Sequence, residues 1–157
     1  MEILDSGNRR EFETGAVRDV QEGKGRCDLL PLDVVAEIMG DDVIDCIAEF
    51  KADGNIDHLC CALNIFAEGM LAGMILDVAK HFEAGHKKYP PGDDGVPNWQ
   101  KGIPVHSYID SAVRHYLKFM RGDKDEPHGR AFVWNILCCI WTCKHLPEMN
   151  DFSLKVE

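Results

Sequence analysis

Three short stretches carry the residue types that could do chemistry. Lys80-His81-Phe82-Glu83-Ala84-Gly85-His86-Lys87-Lys88-Tyr89 sets a carboxylate and two imidazoles against a basic exit from an apolar segment. A plain helix C-terminus, whose partial negative charge favours lysines, would read the same way. Asp110-Ser111-Ala112-Val113-Arg114-His115 places Asp110 beside Arg114, and Ser111 beside His115, at i,i+4 spacing. That is either a surface ion pair next to a hydrogen-bonded histidine or part of a site. Asp125-Glu126-Pro127-His128, with Asn135 further along nearly the same face, heads an otherwise apolar helix. A helix cap accounts for Asp125 but not for His128 and Asn135. Carboxylates and imidazoles together suit Mg²⁺, Mn²⁺ or a heavier divalent ion, and neighbouring lysines and arginines suit phosphate.

Helices must hold these clusters. Residues 1–31 lack helical periodicity, contain Gly7, Gly15, Gly23, Gly25 and Pro31, and read as an irregular N-terminal arm. A short helix is expected from Leu32 to Met39, and a second from Asp41 to Lys51 with Val43, Ile44, Ile47 and Phe50 on its inner face. The longest apolar stretch, 56–85, predicts one central helix, buried over 58–83. A loop follows over 86–103, around Pro90-Pro91-Gly92-Asp93-Asp94-Gly95, and then a helix from Pro104 to Arg121. The last helix should start at Asp125 or Glu126, with Asp125 as N-cap and Pro127 in the first turn, and end near His145. No strand alternation is visible. The expectation is one all-α domain over 1–157: an irregular arm (1–31), a helical bundle of four to five helices (32–146) and a tail (147–157).

Composition narrows the partners. The formal charge is −10, and residues 31–60 alone hold eight acids against one lysine. With no dominant basic stripe, duplex nucleic acid is not expected, whereas a small polyanion fits the nearly neutral C-terminal part. No apolar run reaches a membrane span, and the polar stretch from Met1 to Arg10 is no signal peptide. The seven cysteines are odd in number, form no C-x-x-C pair and sit mostly among apolar residues, so they read as reduced, buried small hydrophobes of a reducing cytosol. So apolar a long helix also points to a homo-oligomer.

Thr14-Gly15-Ala16-Val17-Arg18-Asp19, Gly23-Lys24-Gly25-Arg26 and Asp28-Leu29-Leu30-Pro31 resemble the opening of the phage and prophage dATP/dGTP diphosphohydrolase N-terminal-domain family. The resemblance continues in order through Phe82 to Tyr89, Asn98-Trp99-Gln100-Lys101-Gly102-Ile103, Asp110 to His115, Asp125 to His128 and Trp134-Asn135. It implies hydrolysis of a purine deoxynucleoside triphosphate to the monophosphate and pyrophosphate, in a bacterial host cytosol. It also implies kinship with all-helical, metal-dependent, MazG-like nucleotide pyrophosphatases. Those enzymes carry Glu-x-x-Glu and Glu-x-x-Asp pairs. Here Glu68 and Glu83 stand alone and Asp125-x-x-His128 replaces the second pair, so the expected metal set mixes imidazole with carboxylate. On this reading Glu83, Asp125 and His128 are catalytic and ligate Mg²⁺ or Mn²⁺, joined by Asp110 and His115. Lys87, Lys88, Lys101 and Arg114 meet the phosphates, Lys24 and Arg26 close over them from the arm, and Tyr89, Asn98 and Trp99 complete the nucleotide site. A protein that binds and sequesters a nucleotide or cyclic nucleotide without cleaving it would use the same pocket.

Overall fold

Punctuation in the sequence sets the first helices. In the computed structural model, which describes residues 4–152, α1 (Leu32–Met39) follows Pro31 and stops at Gly40, which adopts the left-handed conformation that costs glycine little. Asp41 then accepts the Ile44 N–H at 2.9 Å and caps α2 (Asp42–Asp53). Val43, Ile44, Ile47 and Phe50 are buried, as their spacing predicts. Beyond α3 (Asp57–Ala67) and α4 (Leu71–Lys88) come α5 (Val105–Arg121) and α6 (His128–His145), which form the most extensive helix pair. Tyr108, Ile109, Ala112 and Val113 of α5 and Phe132, Val133, Ile136 and Cys139 of α6 fill the centre of an all-α bundle. No single helix among the described residues is long and apolar enough to cross a membrane.

The stretch expected as one helix over 58–83 is two. Glu68 at φ 49° and Gly69 at φ 81° end α3, and α4 leaves at 103° to it. The left-handed turn at a non-glycine residue is strained by about 1–2 kcal/mol. The break makes six helices among the described residues where four to five were expected. It also turns most of α4 outward: Val78 and His81 are its buried residues, while Met70 and Leu76 are 74% and 76% exposed. Two smaller corrections follow. Cys138 and Cys139 are buried and all seven thiols are free, but Cys60 and Cys61 are exposed. At α6 the N-cap position falls to Pro127, and Asp125 bonds the His128 ring instead of a backbone N–H.

The arm is not irregular throughout. Strands β1 (Arg9–Glu11) and β2 (Val17–Asp19) pair antiparallel, with Arg10 opposite Arg18 and Gly15 in the turn. Alternation over three residues is too short a signal to see in sequence. The hairpin lies across α5 and the 89–104 loop. Ala16 is fully buried, and the Asn98 side chain both accepts the Val17 N–H (2.7 Å) and donates to the Val17 carbonyl (2.8 Å). Thr14 donates its hydroxyl to the Gly102 carbonyl. In the tail, Pro147–Met149 forms a 3-10 turn and Asp151 accepts the His106 N–H at 2.9 Å; the end of the expected tail, 153–157, lies outside the described residues.

Gly102 makes this approach possible. Its φ is +113°, and a Cβ there would stand 2.9 Å from Thr14 Cγ2. Gly102→Ala should therefore destabilise the protein by about 1–3 kcal/mol in urea unfolding. A loss below a few tenths of a kcal/mol would show that the hairpin is not held at this contact.

Candidate functional site

Where the hairpin crosses the bundle it roofs a cavity of about 450 Å³. The floor is α5 and α6, one wall is the end of α4, and the other is the 89–104 loop with Asn98 and Trp99. The size is ordinary for a small-molecule site. Its charge is not ordinary for this chain. Arg10, Arg18, Lys24, Lys88, Arg114 and Lys118 line it, against the carboxylates of Asp19, Asp110 and Glu126. A protein of charge −10 thus keeps an excess of cations around one hollow.

The acids present are largely engaged. Asp110, buried in α5, accepts both Arg114 terminal nitrogens at 3.0 Å, the Cys27 N–H at 2.6 Å and the Gln21 amide at 3.3 Å. These four donors use the carboxylate's lone pairs, so Asp110 is a clasp between α5 and the arm rather than an available metal ligand. Asp19 pairs with Lys24 at 3.3 Å.

Several residues lining this cavity each carry a buried polar atom with no hydrogen-bond partner among the described residues: Arg10 Nε, Arg18 Nη1, His81 Nδ1 and Trp134 Nε1. Buried groups of this kind are rare without a purpose, because each forfeits its hydration. Burial, helped by Arg130, Arg18 and Lys88, pushes His81 down to about 4, so its ring is neutral at pH 7 and keeps a lone pair. Arg18 and Arg10 are shifted down by the same loss of solvent.

A histidine chain borders the cavity near the start of α6. Asp125 Oδ1 lies 2.7 Å from His128 Nε2, and His128 Nδ1 lies 2.9 Å from His115 Nδ1. If His128 donates to Asp125, its Nδ1 accepts from His115, and His115 Nε2 is left as a lone pair. Burial first, then the His128 and Arg114 neighbours, holds His115 well below the usual histidine range. Donor atoms of His115, Glu126 and His128 lie within 4.8 Å of one another, as do those of Asp123, Asp125 and His128. Two imidazoles with one carboxylate fit Mn²⁺ or a softer divalent ion better than Mg²⁺, which prefers oxygen.

Of the site residues read from sequence, Lys24, Lys88, Tyr89, Asn98, Trp99, Asp110, Arg114 and His115 line the cavity, and His128 and Asp125 stand behind His115. Asn98 uses both ends of its amide to clamp Val17. Four others lie elsewhere. Glu83 is exposed and paired with Lys87 at 3.2 Å, one helical turn on, and belongs to neither group of clustered donors. Arg26 grips Asp28 at 2.6 Å, and Lys101 is outside the lining. The helix runs on to Lys88, past the expected end at Gly85, which is why Lys88 faces in while Lys87 faces out. His81, Glu126 and Asn135 stand in the polar stretches singled out in the sequence but carry no assigned role there, and Arg10, Arg18 and Trp134 carry none either. A polar histidine breaking the apolar face of α4 was the available signal for His81; Arg18 had none beyond its place in the resemblance.

A family model described as dATP/dGTP diphosphohydrolase, N-terminal, matches residues 62–152, which is more than half of the chain. No curated protein and no solved structure gives a significant match.

His81 generates a pH prediction. The unfolded chain protonates its histidines near pH 6.5, while His81 resists until about pH 4. Between those values the unfolded state binds more protons, so stability falls as pH falls, by on the order of 2–3 kcal/mol from this residue. His115 acts in the same direction. Melting temperature should drop between pH 6.5 and 5, above the range where carboxylates titrate, and His81→Gln should flatten that limb. An unchanged limb in the variant would refute the assignment.

Proposed function

The chain belongs to the dATP/dGTP diphosphohydrolase N-terminal-domain family, and on that premise we propose that its cavity binds a purine deoxynucleoside triphosphate and hydrolyses it. Water attacks the α-phosphorus, the α–β bridging bond breaks with its electron pair leaving on pyrophosphate, and the monophosphate remains. The observation that carries this reading is the excess of cationic side chains around an aromatic-walled hollow in an acidic protein. Lys24, Lys88 and Arg114 would neutralise the charge that builds on the leaving pyrophosphate. Phe82, Tyr89 and Trp99 offer flat apolar surface to the base. His115, Glu126 and His128 would hold a divalent ion, with Asp125 orienting the His128 ring. Such an ion, when bound, would lower the pKa of a coordinated water and so ease its attack. The exposed apolar residues Met70, just before α4, and Leu76 within it would be covered in a homo-oligomer, and the setting would be the cytosol of a bacterium, in the service of a phage.

One observation favours the second reading, binding without cleavage. The carboxylates are few and mostly engaged, whereas carboxylate-rich sites are what hold Mg²⁺ on a polyphosphate. Incubation with a nucleotide panel and Mn²⁺ or Mg²⁺, followed by chromatography, separates the two. Turnover of dATP or dGTP selects the hydrolase; retained, intact nucleotide selects the binder.

For the hydrolase, Glu126→Gln and His115→Gln should each lower kcat/KM about 10–100-fold with an unchanged helical spectrum. Glu83→Gln should leave the rate as it is, because its partner is Lys87 at the surface. The opposite pattern in steady-state kinetics would move the site to the end of α4.

A further inference from the structure

Arg18 is held without a counter-charge. Its Nη2 donates to the Ser111 hydroxyl at 2.9 Å and to the Asn135 side-chain Oδ1 at 3.1 Å, both neutral acceptors. The guanidinium lies over the Tyr108 ring at 5.3 Å and the Trp134 ring at 5.9 Å, which orient it and enclose it. Nη1 has no partner among the described residues, and Arg18 makes no ion pair there. A buried guanidinium of this kind destabilises the fold unless something anionic meets it.

Its neighbour sharpens the point. Arg10 stands directly opposite Arg18 in the hairpin, and residues opposite one another in an antiparallel pair share a face. Arg10 donates to Ser107 at 3.4 Å, one helical turn before Ser111, so both arginines lean on the same face of α5. Arg10 Nε is also unpartnered. Like charges in opposite positions repel and destabilise the pair. Two forked donors side by side match the spaced oxygens of a phosphoanhydride better than one small anion. Both arginines lie outside residues 62–152, so the matched family segment does not include them.

We infer that Arg10 and Arg18 form a cross-strand clamp for a phosphoanhydride, a pyrophosphate-like group, which the hairpin brings down onto Ser111 and Asn135. This rests on the reading that the cavity takes a nucleotide polyphosphate, and it assigns the polyphosphate end to the arm. A solely structural Arg18 would be a tie between the arm and the helices, and its removal would loosen the fold. A clamp held unpaired for a ligand predicts the reverse: without it the free protein gains or keeps stability and loses the anion.

The test uses the full chain in EDTA with sodium pyrophosphate and measures melting temperature and Kd by calorimetry. The wild type should melt higher with pyrophosphate. Arg18→Met should melt at or above the wild-type temperature alone and lose the pyrophosphate-induced rise. A wild type without the rise, or an Arg18→Met protein that keeps it, overturns the inference. Should Arg18→Met not fold, Arg18→Lys decides: a Kd at least tenfold weaker supports the clamp, and an unchanged Kd overturns it. Nucleotide turnover is followed separately. Pyrophosphate binding through Arg18 with no turnover leaves the clamp standing and removes the hydrolase; turnover that survives Arg18→Met does the opposite.

Discussion

Asp110 is buried in the middle of α5 with four donors converging on its carboxylate: two from Arg114, one from the Cys27 backbone and one from Gln21. An ionised carboxylate in such a position is tolerable only when its oxygens are met. The donors come from two places, the helix itself and the arm, so meeting the charge brings the arm to the helix. Everything above the cavity depends on that. With Cys27 and Gln21 fixed, the hairpin before them lies over α5, Arg114 is turned across the hollow, and Asn98 can seize the backbone of Val17. The next residue along β2 is Arg18, whose side chain then has nowhere to go but inward, among Tyr108, Trp134, Ser111 and Asn135.

The bundle was legible because its signals are local. Leu32 to Met39, the inner face of α2 and the span of α5 follow from periodicity, and Gly40, Gly54 and Gly122 sit at the ends in left-handed geometry. The hairpin was not legible, since three-residue strands held by a side-chain amide carry no period. The site was legible in part. The Asp110 to His115 cluster lines the hollow, and the Asp125 to His128 cluster adjoins it through Glu126 and the His128–His115 contact. Which of those groups are free was not readable: Asp110 is consumed by its own i,i+4 arginine, and Glu83 by its own i,i+4 lysine. The i,i+4 rule that drew attention to these residues is also what satisfies them locally.

The break after α3 shows why apolarity alone misplaced a helix. Glu68 and Gly69 are inconspicuous inside a long apolar stretch, yet two successive positive φ values swing α4 by 103°. The strain at Glu68 is compensated by what the new direction delivers. His81 and Phe82 reach the aromatic wall around Trp134 and Trp99, with ring centroids 5.3–5.9 Å apart, and Lys88 reaches the rim. Exposure of Met70 and Leu76 is the counterpart of building the site.

The charge distribution then has a consistent logic. The acids that give the chain its overall sign lie mostly on α1, α2 and the turns beside them, away from the hollow. Inside it, burial does two things at once. It keeps His81 and His115 neutral, since protonating either would add a poorly solvated charge near Arg18 and other cations. It also leaves Arg10 and Arg18 charged but poorly solvated, because a guanidinium cannot shed its proton as an imidazole can. The protein therefore uses its two kinds of nitrogen differently: the histidines yield to the low dielectric and keep lone pairs, while the arginines resist it and keep donors. Unpartnered N–H groups therefore lie buried on the hairpin side of the hollow and neutral imidazoles on the helix side. That asymmetry is what the proposed clamp would use: a polyphosphate would lie toward the arm, with the histidines at its other end.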